Sequence, residues 1–121
     1  MNNDSILGEK SFSFALRIVD LSRYLSIEQK EYILSKQVLR SGTAIGALVR
    51  ESEYAQSKAD FARKLSIALK EANETEYWLQ LLSESNYITD KMFLSIEPEI
   101  KTLLKLLISS IKTTKQNINK T

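Results

Sequence analysis

No histidine occurs anywhere in this chain. Its absence removes the commonest general base and metal ligand, every Ser-His nucleophile pair, and the Glu-x-x-His ligand set of di-iron helical bundles. Glu71 and Glu74 have the i, i+3 spacing of such a site but no histidine partner. Cysteine is also missing, which excludes disulfides and thiol chemistry. Glycine appears three times and proline once in 121 residues, so few tight turns and long regular elements are expected. Gly42 and Gly46 lie inside a helical pattern with no strand before them, so they do not build a phosphate-cradling loop. No run reaches the roughly 20 apolar residues of a membrane span. The opening MNNDSILGEKSF lacks the apolar centre of a secretion signal. The expectation is a non-enzymatic, cytoplasmic protein without metal, cofactor or membrane association.

What remains is helix. Residues 57–82, SKADFARKLSIALKEANETEYWLQLL, place Phe61, Leu65, Ala68, Ala72, Thr75, Leu79 and Leu82 on one face of the helical period. Ser57 followed by Asp60 reads as a capping box with Asp in place of Glu. At ~1.5 Å per residue this helix is nearly 40 Å long, and it needs partners of matching length. A first helix is expected over residues 7–24. Phe12, Leu16 and Val19 form one stripe on it, and Phe14, Ile18, Leu21 and Leu25 a second beside it. Ser26 with Gln29 gives another capping-box start. The second helix then continues to about residue 54, with Leu34, Val38, Ser41, Ile45, Leu48, Ser52 and Ala55 facing the core. SESNYITD breaks the pattern, and Thr89 or Asp90 can cap a fourth helix carrying Phe93, Ile96, Ile100, Leu103 and Leu107. Pro98 either kinks that helix or leaves its long regular part to begin near Glu97. Short connections make neighbouring helices antiparallel. The expected fold is all-α: one up-down-up-down antiparallel four-helix bundle over residues 1–121, with ends fraying over about 1–6 and 114–121.

Antiparallel packing about the turn at residues 56–57 sets Arg40 level with Glu74, and Glu51 level with Arg63. Two readings follow. Either these are rim salt bridges worth under about 1 kcal/mol each, or Arg40 with Glu71 or Glu74 is partly buried and fixes register or partner choice. Gly42 and Gly46, four residues apart, allow close backbone approach, either within an ordinary helix pair or between subunits. Ile67, Trp78 and Leu81 share a flank of the third helix, and Leu104, Ile108 and Ile111 one of the fourth. These helices exceed the three apolar positions in seven that a monomeric bundle needs. The surplus points to a homo-oligomer, with Trp78 as a candidate anchor.

Net charge is only +2, but its distribution is uneven. After Glu99 come Lys101, Lys105, Lys112, Lys115 and Lys120 and no acid, while Lys58, Arg63, Lys64 and Lys70 open the third helix. Antiparallel packing gathers these at one end of the bundle. Glu71, Glu74, Glu76, Glu84, Asp90, Glu97 and Glu99 collect at the other. Helix-dipole matching accounts for lysines late in the fourth helix but not for Lys58 to Lys64 at a helix start. A basic end repeated around an oligomer would attract phosphate, with Lys58, Arg63, Lys64, Lys105, Lys112 and Lys115 as candidate contacts to RNA or DNA. The alternative is a protein-interaction scaffold whose charge serves solubility.

Three segments carry a family resemblance: KSFSFALRIVDL at 10–21, QVLRSGTAIGALVRESEYAQSKADFARKLSIALKEANETEYWLQLL at 37–82, and LLKLLISSIKTTK at 103–115. Together they resemble the bacterial four helix bundle protein family, also called the 23S rRNA intervening-sequence protein family and labelled S23 ribosomal protein. The most specific parts are QxxRS (Gln37, Arg40, Ser41) and LSIALKEANETEYWL. The resemblance implies a ring-shaped homopentamer. Some members are encoded inside sequences that interrupt ribosomal RNA genes, which describes gene position rather than membership of the ribosome. A related group serves as the accessory protein of diversity-generating retroelements, where a basic pentamer partners a reverse transcriptase and binds nucleic acid. Two departures bear on that role. The chain reads GALVRES from Gly46, with Leu48 and Arg50, where the family often has an Asn-containing, Ala-Glu-like stretch, and its net charge is far lower than that group's.

Overall fold

Apolar residues recurring at helical spacing, with few breakers between them, give four helices in the computed structural model, which describes residues 3–120 and side chains from Ile6 onward. They are α1 (Asn3–Ile27), α2 (Leu34–Ser52), α3 (Lys58–Glu84) and α4 (Asp90–Asn119). Each packs on its neighbours around an antiparallel four-helix bundle, and no strand occurs among the described residues. One continuous core runs through it, filled by Phe14, Ile18 and Leu25 from α1, Val38 and Ile45 from α2, Leu65 and Leu79 from α3, and Ile100, Leu103 and Leu107 from α4. Burying each such side chain stabilises by about 1.5–3 kcal/mol.

Caps set two of the helix starts where the sequence places them. Ser57 is extended and accepts from the Asp60 N–H at 3.0 Å. The Asp60 carboxylate reaches back to the Gln56 N–H at 3.3 Å, one residue beyond the usual capping-box donor. Thr89 caps α4 by accepting from the Met92 N–H at 3.1 Å. α3 closes on Asn86, which takes a left-handed φ of 66° while the Tyr87 N–H donates to the Leu82 carbonyl at 3.0 Å.

The first interhelical turn differs from expectation. Ser26 does not start α2; it lies within α1, its hydroxyl turned back to the Ser22 carbonyl at 3.1 Å. The helix runs on because Leu25 is fully buried and belongs to the core. It ends at Ile27, and the chain reverses at Lys30, a residue with a β-carbon held at φ 55°, with the Glu31 N–H closing onto the Leu25 carbonyl at 2.9 Å. Gln29 instead donates to the Tyr24 hydroxyl. The cap of α2 comes from Glu31, whose carboxylate accepts from the Ser35 N–H at 2.9 Å. The buried face of α2 is also turned toward α1. Ser35, Gly42 and Val49 are buried beside Val38, Ser41, Ile45 and Ser52, while Leu34, Leu48 and Ala55 are only half-buried.

Pro98 lies inside α4, which is continuous from Asp90, so the regular part does not begin at Glu97. Proline removes the donor that the Leu94 carbonyl would use. Arg17 of α1 braces this stretch: it donates to the Ser95 carbonyl at 3.0 Å and to its hydroxyl at 2.9 Å, and pairs with Glu99. Of the ends expected to fray, residues 3–6 belong to α1 and 114–119 to α4, where Thr114 and Ile118 are half-buried. Residues 1, 2 and 121 lie outside the described residues.

Candidate functional site

Three surfaces compete for a functional role. The first joins the two most distinctive sequence segments. Arg40 of α2 donates to Glu71 of α3 at 2.9 Å and pairs also with Glu74. Glu74 accepts a second bond from the Trp78 indole at 3.3 Å. Beneath this cluster the Ser41 and Thr75 hydroxyls, both fully buried, are hydrogen-bonded at 2.9 Å, and Thr75 donates back to the Glu71 carbonyl. The Arg40 side chain is 52% exposed, so water screens these ion pairs and each is worth under about 1 kcal/mol. Arg40, Glu71 and Glu74 therefore form a rim cluster, while the buried hydroxyl pair supplies the directional contact between α2 and α3. Glu51 and Arg63 are not paired. Arg63 turns to Asp60 in its own helix at 2.7 Å.

The second surface is the outer groove between α1 and α2, about 790 Å³, with Phe12, Ala15, Gly46, Ala47 and Tyr54 among its lining residues. Glu9, Glu51 and Glu53 also line it, and the Arg50 guanidinium lies 5.9 Å from the centre of the Phe12 ring. Phe12 and Leu16 are 54% and 55% exposed. Gly46 borders this groove; a β-carbon there would come to 3.3 Å from the Ser11 carbonyl oxygen. Gly42 does not belong to a subunit surface. It is buried inside the protomer, where a β-carbon would stand 2.8 Å from two carbons of Ile18, so its smallness serves the α1–α2 seam.

The remaining residues proposed for a subunit interface divide. Ile67 and Ile108 are exposed. Trp78, Leu81 and Leu104 are half-buried, and Trp78 and Leu104 pack on the core. Trp78 meets Tyr77 edge to face at 5.1 Å and spends its N–H on Glu74. Phe12, Leu16 and Tyr54 are more exposed than Trp78, and the sequence signal for the first two is the Phe12–Leu16–Val19 stripe on α1.

The third surface is basic. α3 begins and α4 ends at the same end of the bundle, where Lys58 and Asn117 line a shared depression. Lys58, Lys105, Lys112 and Lys115 are exposed and make no ion pair among the described residues. Arg63 and Lys64 both lean on Asp60, at 2.7 and 4.0 Å. The hydrogen bond from Arg63, then that from the Gln56 N–H, hold the Asp60 carboxyl below its ordinary range. Lys101 pairs with Glu76 of α3 at 3.5 Å, which puts Lys105 nearer mid-bundle than the others. Lys101, Lys105, Ile108, Lys112 and Lys115 recur at helical spacing on one outward face of α4. Among the described residues no group of carboxylates is arranged to hold a metal, and no helix is long and apolar enough to cross a membrane.

Comparison with known proteins follows the same segments. The family model described as "23S rRNA-intervening sequence protein" matches residues 3–109. A crystal structure at 1.70 Å of a protein of unknown function from the S23 ribosomal protein family, from Bacteroides thetaiotaomicron VPI-5482, is 57% identical in sequence. The match covers 92% of this chain and 99% of that one, with a TM-score of 0.90. No curated protein matches.

Proposed function

The chain belongs to the 23S rRNA-intervening sequence protein family, and from that premise we propose that it is a non-enzymatic, homo-oligomeric accessory protein that holds structured RNA or DNA through phosphate contacts. The observation that carries this reading is the group of exposed lysines without counter-charges, Lys58, Lys105, Lys112 and Lys115, on the half of the bundle where α3 begins and α4 ends. Phosphate binding needs mobile, unneutralised cations spread along a surface, and oligomerisation multiplies them. Arg63 and Lys64 contribute less, since Asp60 offsets them. A ring of five is the assembly that the family resemblance implies, and a cytoplasmic location suits a nucleic-acid partner. A reverse-transcriptase-like partner has no support in the charge of this chain.

The test is anisotropy of a labelled structured RNA titrated with the protein at several salt concentrations. Affinity is expected to fall steeply with salt, and Lys58→Glu with Lys115→Glu to reduce both affinity and salt slope. Absence of binding at low salt would reject the reading. The second reading, a protein-interaction scaffold, is favoured by the exposed Phe12, Leu16 and Tyr54. It would then stand alone.

A further inference from the structure

The α1–α2 groove and the outer face of α4 have complementary chemistry. The groove presents apolar Phe12, Ala47 and Tyr54 rimmed by Glu9, Glu51 and Glu53, whose charge outweighs that of Arg50, the cation over the Phe12 ring. The α4 face presents Ile108, 53% exposed, between Lys105 and Lys112. Their heights also correspond. Gly46 lies against the Ser11 carbonyl, Ser41 bonds Thr75, and Glu76 pairs with Lys101. Followed around the antiparallel bundle, these contacts put Ala47 level with Ile108, Glu51 level with Lys112, and Phe12 within about one turn of Ile108.

We propose that the groove of one copy receives the outer face of α4 from a second copy, with Phe12 and Ala47 against Ile108, and Glu51 facing Lys112. This rests on the homo-oligomeric part of the proposed function; it takes Lys112 out of the phosphate-binding group and leaves that role to Lys58 and Lys115, away from the contact. Both surfaces are incomplete alone. The groove leaves aromatic area in water, and the α4 face leaves an isoleucine exposed among unpaired lysines. Exposed apolar area rimmed by charge is the pattern of an association surface. The two surfaces lie on different sides of the bundle, so the contact is heterologous: each copy uses its groove on one neighbour and its α4 on the other. Such contacts close into rings or extend into filaments. Matching heights favour rotation about an axis along the bundle, and hence a ring.

Sedimentation of two variants, apart and mixed, without nucleic acid, tests this. Phe12→Asp spoils only the groove and Ile108→Asp only the α4 face. Both positions are solvent-facing, and circular dichroism checks that each variant keeps its helix content. Each alone is expected to be monomeric. Mixed in equal amounts they should form one-to-one dimers and nothing larger, because one sound groove and one sound α4 face remain in each pair. A mixture that stays monomeric overturns the proposal, as does either variant assembling like the unaltered chain. An unaltered chain that is itself monomeric also overturns it, and would assign the groove to a foreign partner. As an independent check, Glu51→Lys and Lys112→Glu should each weaken assembly and together restore it. Failure of the double variant to recover also counts against the contact.

Discussion

Two stripes of α1 carry the same kinds of residue and meet opposite fates. Phe14, Ile18 and Leu25 are fully buried, while Phe12 and Leu16 are more than half exposed. Hydrophobicity does not separate them, and neither does period, since both stripes repeat at helical spacing. The partner helix does. Gly42 and Gly46 let α2 come close against Ile18 and Ser11, which draws one stripe inward and leaves the other on the rim of a groove. An apolar residue on a bundle helix therefore reports either folding or association, and the small residues across the seam decide which.

The largest expected effect tests that division directly. Phe14→Ala should cost about 3–5 kcal/mol of monomer stability, and Phe12→Ala no more than about 0.5 kcal/mol. Urea unfolding at concentrations low enough for the chain to be monomeric measures both, and comparable losses would erase the distinction between the stripes. Next comes the seam. Gly42→Ala should cost about 1–3 kcal/mol through overpacking against Ile18. Gly46→Ala should cost less, and Ile18→Val should recover part of the Gly42→Ala loss. If Gly42→Ala is neutral, the close approach is not what orients α1.

A third prediction carries the comparison to the α2–α3 seam. Thr75→Val leaves the buried Ser41 hydroxyl without its partner and should cost about 1–3 kcal/mol. Arg40→Ala should cost under about 1 kcal/mol. A double-mutant cycle on Arg40→Ala and Glu74→Ala showing coupling well above that would return the ion pairs to a register-setting role. Smaller still, Lys30→Gly should stabilise by up to about 1 kcal/mol, because it relieves a left-handed backbone.

The smallest effect is a pH dependence. Asp60 has its carboxyl held below the ordinary range in the folded protein. Its contribution is therefore present above the ordinary carboxylate range and is lost as pH falls through that range toward the folded value. Asp60→Asn should remove this slight acid sensitivity from thermal melts, and an unchanged acid limb would show that the Arg63 contact contributes nothing.

Much of this architecture is legible in the sequence. The buried positions of α3 from Leu65 to Leu82 follow its period without exception, and Ser57 and Thr89 announce the caps they form. The first turn is not legible, because Ser26 has every local feature of a helix start. The burial of Leu25, a tertiary fact, overrides it and pushes the boundary to Ile27. The Arg40–Glu71–Glu74 cluster is legible because antiparallel register pairs those charges. The Glu51–Arg63 pair is not, because Asp60 lies one turn from Arg63 and competes locally. Trp78 looks like an exposed anchor only until Glu74 claims its indole. The groove is half visible as the Phe12–Leu16–Val19 stripe of α1; its depth depends on how closely Gly46 lets two backbones approach.

The central claim is that the exposed stripe of α1 serves association rather than folding. The most direct measurement is the native mass of the unaltered chain by sedimentation velocity across micromolar concentrations. A discrete assembly of three or more copies, reduced to monomer by Phe12→Asp with helix content unchanged, is the predicted result. A monomer throughout, or an assembly indifferent to Phe12→Asp, would contradict it.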